Sequence, residues 1–218
     1  MRSDEVRRTR KASIFLLAVI VCNCSFLPPR PEPNFFILTP VPDDESSGMN
    51  VYGLSHPFVP IELGLGPVRF PAYLDRPEMV TRIDENRLAI SDTNRWAAPL
   101  DDAFTRTLAQ DLASRMPDSR VTLYPWYSDR LPDFQITVDV HRFDVTVQGL
   151  AKLEAAWTIK GLRANALLYS TSSAFTQSVA GLKPADQAAA LSHTVADLSN
   201  QIAWRVEQIG PKSQIQKR

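Results

Sequence analysis

The stretch FQITVDVHRFDVTVQGLAKLEAAWTIKG, residues 134–161, decides the fold of this chain. Apolar and polar residues alternate near its start and again near its end, and this period of two is typical of a strand with one buried face. Gly149 lies between the two alternating runs, where a turn is expected. The apolar positions are Phe134, Ile136, Val138 and Val140 in the first run and Leu153, Ala155, Trp157 and Ile159 in the second. The stretch therefore predicts a long antiparallel hairpin that buries one face.

Two segments outside this hairpin have the period of amphipathic helices. The first begins at Pro99, a residue suited to a first helical turn, and carries an apolar residue at every fourth position. The second begins at Pro184, and we expect Gly210-Pro211 to end it. The two stripes are Leu100, Phe104, Leu108, Leu112 and Met116, and Ala188, Leu191, Val195, Leu198, Ile202, Val206 and Ile209. Each stripe predicts a helix with one face in the core.

Shorter apolar runs predict the remaining strands. A hairpin is expected around the acidic turn residues 84–86, and the segment 66–73 is interpreted as a turn, as is the pair of glycines in Gly64-Leu65-Gly66. The strands are expected at 34–39, 58–65, 79–83, 87–90, 121–124 and 166–175. Short connections and the order of elements favour an α+β fold, with an antiparallel or mixed β-sheet and two α-helices packed on one face.

The N-terminus has the pattern of an export signal. Residues 1–11 are basic and residues 12–21 are apolar. This apolar run of ten residues is too short to cross a bilayer, which needs about 20, so we interpret it as a signal peptide.

The only two cysteines of the chain, Cys22 and Cys24, end this apolar run. They are too close in sequence to form a useful disulfide, and their position resembles the cleavage and acylation site of bacterial lipoproteins. Cys24 is favoured over Cys22, because the branched Val21 precedes Cys22 where a small residue is usual, and because Ser25 and a proline-rich segment follow Cys24. An ordinary cleaved secretory signal with two incidental cysteines is the alternative.

Composition and these patterns together define the organisation of the chain. We divide it into a signal peptide (1–23), a proline-rich tether (24–33), a single α+β domain (34–210) and a disordered tail (211–218). An apolar content of 44% suffices for a core. The 24 basic and 24 acidic residues cancel, which gives no support for a nucleic-acid partner.

No pattern in the sequence predicts catalysis. The three histidines, His56, His141 and His193, lack the spacing of metal ligands, so a structural or surface role is favoured for each. Nucleophile elbows, phosphate-binding loops and dinucleotide-binding loops are also missing from the sequence. We therefore predict no enzyme activity, no metal and no cofactor.

One arginine-rich stretch, residues 76–104, is a candidate for binding. It collects arginines around the predicted 79–90 hairpin and places Arg95-Trp96 just before the first helix. The stretch is either a structural junction or a contact surface for a partner or for lipid headgroups, since arginine and tryptophan are favoured at interfaces. The candidate contact residues are Tyr73, Arg76, Arg82, Arg95 and Trp96.

The series of motifs along the chain resembles the ABC-type transport auxiliary lipoproteins of the PqiC (YmbA) kind. The resemblance extends over nearly all of the chain after Cys24 and is carried by FFILTP (35–40), PAYLDRP (71–77), VTR (80–82), RWA (95–97), PL (99–100), YPW (124–126), FD (143–144) and AW (156–157).

The resemblance implies a part of a lipid transport system in the envelope of a diderm bacterium. Such a lipoprotein would be neither an ATPase nor a permease. It would dock a periplasmic conduit built from a mammalian-cell-entry-domain protein, and the role is compatible with a homo-oligomer. Ser25 after Cys24 implies sorting to the outer membrane, where the lipid anchor would hold the protein at the periplasmic face.

Two other functions remain as alternatives. One is a periplasmic carrier that holds a lipid chain in its own cavity. The other is a periplasmic enzyme, which the missing catalytic patterns disfavour.

Overall fold

The structure, a computed structural model, describes residues 31–41, 61–126, 131–181 and 183–215, with backbone alone for 211–215. The signal peptide, Cys24, most of the tether and residues 58–60 of a predicted strand lie outside these ranges. His56 also lies outside them. The described residues from Pro33 onward belong to one compact unit.

This unit contains eight strands and two long helices in its described part. The strands are β1 (Asn34–Phe36), β2 (Glu62–Arg69), β3 (Glu78–Arg82), β4 (Leu88–Trp96), β5 (Arg120–Leu123), β6 (Phe134–Thr146), β7 (Leu150–Gly161) and β8 (Ala166–Ser178). The helices are α1 (Leu100–Arg115) and α2 (Pro184–Ile215), and a 3₁₀ turn covers Ala72–Leu74. The predicted α+β fold is therefore confirmed, and the sheet is of the mixed kind.

Strand β6 lies at the centre of the sheet. It pairs antiparallel with β7 along its length, and β7 pairs antiparallel with β8, which confirms the predicted hairpin and its continuation. On its other edge β6 pairs with two strands in succession, both parallel to it: first β2 and then β3. Strand β5 extends the sheet from β2, while β4 and then β1 extend it from β3.

Both helices cover the same face of the sheet, as predicted. The apolar positions of the hairpin are buried on this face, and all five positions of the α1 stripe are buried against them. Three rings, Phe70, Phe104 and Phe143, pack edge to face with centroids 5.2 to 6.1 Å apart, and they join the β2–β3 connection, α1 and β6. Edge-to-face packing is a favoured geometry for aromatic pairs.

Helix α2 continues past the point where the sequence predicts its end. Gly210-Pro211 does not stop the helix, which runs to Ile215, so the predicted helix end is wrong. Gly210 is buried, and a Cβ atom on it would lie 2.9 Å from Ile61 Cδ1. Close packing at this residue thus compensates for the low helix propensity of glycine.

Strand β2 also differs from the prediction. Gly64 and Gly66 lie within β2 and not in a turn, and the strand continues to Arg69. Gly64 is in the strand because the Trp126 indole and the Pro132 ring pack directly on its backbone, leaving no room for a side chain. The predicted turn over 66–73 is therefore wrong up to Arg69.

In the described residues, no helix is long and apolar enough to span a membrane.

We predict that Gly64→Ala lowers the free energy of unfolding by about 1–3 kcal/mol, because the new methyl group overlaps the Trp126 ring and forces it to move. Urea unfolding measures the change. Adding Trp126→Leu to Gly64→Ala should recover part of the loss, and equal stability of wild type and Gly64→Ala would contradict the packing described here.

Candidate contact surface

A buried carboxylate organises the face of the sheet that the helices leave open. Asp144, on β6, has a fully buried side chain. The Arg82 guanidinium donates to its Oδ2 from Nη2 at 2.7 Å and from Nε at 2.8 Å, and Arg142 Nε donates to Oδ1 at 2.9 Å. Arg142 Nη1 also lies 3.7 Å from Glu154 on β7. Because both carboxylate oxygens are paired with guanidinium groups, the charge of Asp144 is compensated despite its burial.

This cluster occupies the one interval along β6 where the sheet changes partner. The pairing of β2 with β6 ends at Asp139, and the pairing of β3 begins at Val145. The connection 70–77 passes between these two points, and its 3₁₀ turn buries Leu74 while bringing Tyr73 near Arg82. The side chains of Arg82 and Asp144 therefore join β3 to β6 next to the first backbone pair of these two strands.

Tyr73 covers the cluster. The Arg82 Cζ lies 5.9 Å from the centre of the Tyr73 ring, within the range of a cation–π contact. Burial raises the pKa of Tyr73, and the nearby Asp144 carboxylate adds to the rise. The hydrogen bond to Asp144 raises the pKa of Arg82. Both effects keep the tyrosine neutral and the arginine charged at neutral pH.

Arg95 and Trp96 lie at the end of β4, which continues beyond the predicted strand 87–90 and ends just before α1. Trp96 is 6% exposed and belongs to the core, and its backbone N–H donates to Pro77 O at 2.7 Å. Arg95 points to the open face, with Nη2 3.5 Å from Glu78 Oε1. Burial removes the Trp96 ring from the surface of the chain and places it in the structural junction that the sequence offered as the alternative.

Arg76 is the candidate with the least internal pairing. Its side chain is half-buried, and its Nε is buried with no hydrogen-bond partner in the described residues. The Nε of Arg95 is likewise buried with no hydrogen-bond partner in the described residues. Tyr73, Arg76, Arg82 and Arg95 thus lie on or beside β3, β4 and the connection before β3, and their use as a contact surface stays a prediction.

Arg142 was not singled out from the sequence, and Asp144 was named only within the FD motif of the resemblance, without a role. A charged residue directly after the buried Phe143 was visible in the sequence, but its pairing with Arg82, 62 positions away, depends on strand order. The described part of the chain contains no group of three or more His, Cys, Asp or Glu side chains able to hold a metal ion.

Two crystal structures share this fold. One, of an uncharacterized protein, is 20% identical with a TM-score of 0.64, and the match covers 81% of this chain and 99% of that one. The other, XCC0632 from Xanthomonas campestris, of the family DUF330, is 17% identical with a TM-score of 0.62, covering 83% and 99%. At these identities the likeness shows the fold alone. No curated protein matches the sequence.

The fold places the chain in the class of α+β domains that have a mixed sheet with two helices on one face. The family model for the ABC-type transport auxiliary lipoprotein component matches residues 55–203, which is more than half of the chain. This chain belongs to that family, as the resemblance implied. Membership indicates a membrane-anchored lipoprotein of the cell envelope and an auxiliary role in transport, and the family is not a known enzyme family.

We predict a large loss of stability for a substitution at Trp96 and a small loss for one at Arg95, its neighbour at the end of β4. Trp96→Ala should lower the free energy of unfolding by about 3–5 kcal/mol, because it leaves a cavity in the core. Arg95→Ala should cost less than about 1 kcal/mol, since its ion pair with Glu78 is partly exposed. Urea unfolding of the two single variants checks both values. A small loss for Trp96→Ala would contradict the burial of this residue in the core.

We also predict that Arg82→Gln lowers the free energy of unfolding by about 3 kcal/mol, because Asp144 stays buried with one of its two guanidinium partners missing. Arg87→Gln, on an exposed arginine of the same hairpin, is the control and should change little. The double variant Arg82→Gln/Asp144→Asn should be more stable than the sum of the two single changes predicts, and strict additivity would show that the two residues do not interact.

Proposed function

We propose that this chain is a non-enzymatic lipoprotein, anchored to the outer membrane at its periplasmic face, that assists phospholipid transport between the two membranes. Its partner would be the mammalian-cell-entry-domain protein of an ABC transport system. The observation that carries this proposal is membership in the family of transport auxiliary lipoproteins, together with a leader that ends at Cys24.

Acylation at Cys24 would supply the membrane anchor. A buried acyl chain contributes about 0.8 kcal/mol for each CH₂ group, so several chains on one residue hold a protein firmly at a bilayer. The ten residues from Cys24 to Pro33 include four prolines, a composition that favours an extended tether between an anchor and the domain.

The arginine-bearing side of the open face is the proposed contact for the partner. The Asp144 cluster fixes β3 against β6, and this fixes the direction in which the 70–77 connection presents Tyr73 and Arg76. Arg76 is the best single candidate, since its half-buried side chain forms no ion pair in the described residues and can bind an acidic group of a partner without breaking one.

A lipid carrier would need an apolar cavity between the sheet and the helices. In the described residues this space is filled by large side chains with almost no exposed surface, among them Phe104, Phe143 and Trp157. Interiors packed in this way leave little room for an acyl chain, so the auxiliary role is favoured over the carrier.

We predict that metabolic labelling with a fatty acid marks wild type and Cys22→Ser but not Cys24→Ser. Affinity capture from the same detergent-solubilised membranes should recover a mammalian-cell-entry-domain protein with wild type, and less of it with Arg76→Glu. Arg106→Glu makes the same charge change on an exposed arginine of α1 and is the control.

Each arm of this experiment has its own contrary result. Label that is absent from wild type would exclude the lipid anchor. Equal recovery with Arg76→Glu and Arg106→Glu would remove the arginine surface from the contact, and capture of no such protein by wild type would exclude the proposed partner.

A further inference from the structure

Strand β8 forms one edge of the sheet over 13 residues. Its inner edge pairs with β7 from Ala166 to Ser178, and no other strand in the described part of the chain pairs with it. An edge strand presents unpaired N–H and C=O groups, which pair readily with a strand of another chain.

β8 lacks the features that normally protect an edge. It contains no charged residue and no proline, and from Ser170 onward the side chains on its open face are small: Ser170, Ser172, Ala174, Thr176 and Ser178. The strands at the other margins of the sheet, β1 and β5, are three and four residues long, and short edges are one way of avoiding association. β8 is long and uncharged by comparison.

Side chains typical of protein interfaces lie at the start of this strand. The Arg205 Cζ lies 4.1 Å from the ring centre of Tyr169 on β8 and 4.7 Å from that of Trp204 on α2. Trp204 is 42% exposed and Leu167 is 65% exposed. Tryptophan, tyrosine and arginine dominate the residues that contribute most to association, so this stack marks the β8 edge as a contact and not as bare surface.

We propose that two copies of this chain pair through β8, antiparallel and about a twofold axis near Ser172, and so form one continuous sheet. Ser172 is the midpoint of the strand, so pairing about it uses the whole length. In this register Tyr169 of one copy lies opposite Phe175 of the other, and aromatic cross-strand pairs stabilise sheets.

The absence of charge on β8 favours a second copy over a different protein. A twofold axis places each residue opposite a strand of the same sequence, and like charges directly opposite are destabilising. A 13-residue strand without charges avoids this repulsion, and it offers no charge by which a different strand would be selected. This inference depends on neither the anchor nor the transport partner.

The test uses two full-length copies with different affinity tags, expressed together and solubilised in detergent. Capture through one tag should recover the other wild-type copy. The variant with Ser170→Lys, Ser172→Lys and Ala174→Lys places lysines opposite lysines at three points, and recovery between two such copies should fall about tenfold or more. The same three positions changed to Glu should give the same loss.

The lysine copy paired with the glutamate copy should restore recovery, because opposite charges then face each other. Ala89→Lys, at an exposed position of β4, is the control and should leave recovery unchanged. Circular dichroism of each variant verifies that it folds. Failure of wild-type copies to recover each other, or full recovery between two lysine copies, would overturn the proposal. Loss without restoration in the mixed pair would indicate a strand from another protein or a head-to-tail contact, and would also overturn it.

Discussion

The structure depends most on the pairing of β6 along both of its edges. One edge carries the hairpin with β7, while the other is shared by β2 and β3, which pair with it one after the other. Between these two strands the backbone pairing is interrupted, and at the β3 end of this interval the Asp144 carboxylate binds Arg82 of β3 and Arg142 of β6. Every other strand is connected to the sheet through β6, so this strand and its ion cluster determine how the two halves of the sheet lie relative to each other.

The two faces of the sheet have separate roles because of this arrangement. One face is covered by α1 and α2 and holds a core of large apolar side chains. The other is left open and carries arginines, some held in ion pairs and some with unused donors. The contacts proposed above with other proteins lie on the open face and along the long edge.

The agreement between sequence and structure is best where one period runs through many residues. The period of two in β6 and β7 repeats often enough to distinguish a strand from a helix. The four-residue period in α1 does the same for a helix, and these elements were predicted correctly. The errors fall where a distant contact overrides local preference. Trp126 packs on Gly64 within a strand, and Gly210 packs against Ile61 within α2, which continues past Pro211. Neither partner is near in sequence, so no local pattern could reveal the effect.

The sequence by itself determined the α+β class, the central hairpin, the buried face of α1 and the kinship with auxiliary lipoproteins. These follow from periodicity and from motifs, which are properties of neighbouring residues. Only the tertiary structure decided that Trp96 is buried, that Asp144 pairs with Arg82, and that β8 is a long edge. The physical reason is that burial, ion pairing and edge position depend on the order in which strands assemble, and strand order joins residues far apart in the chain.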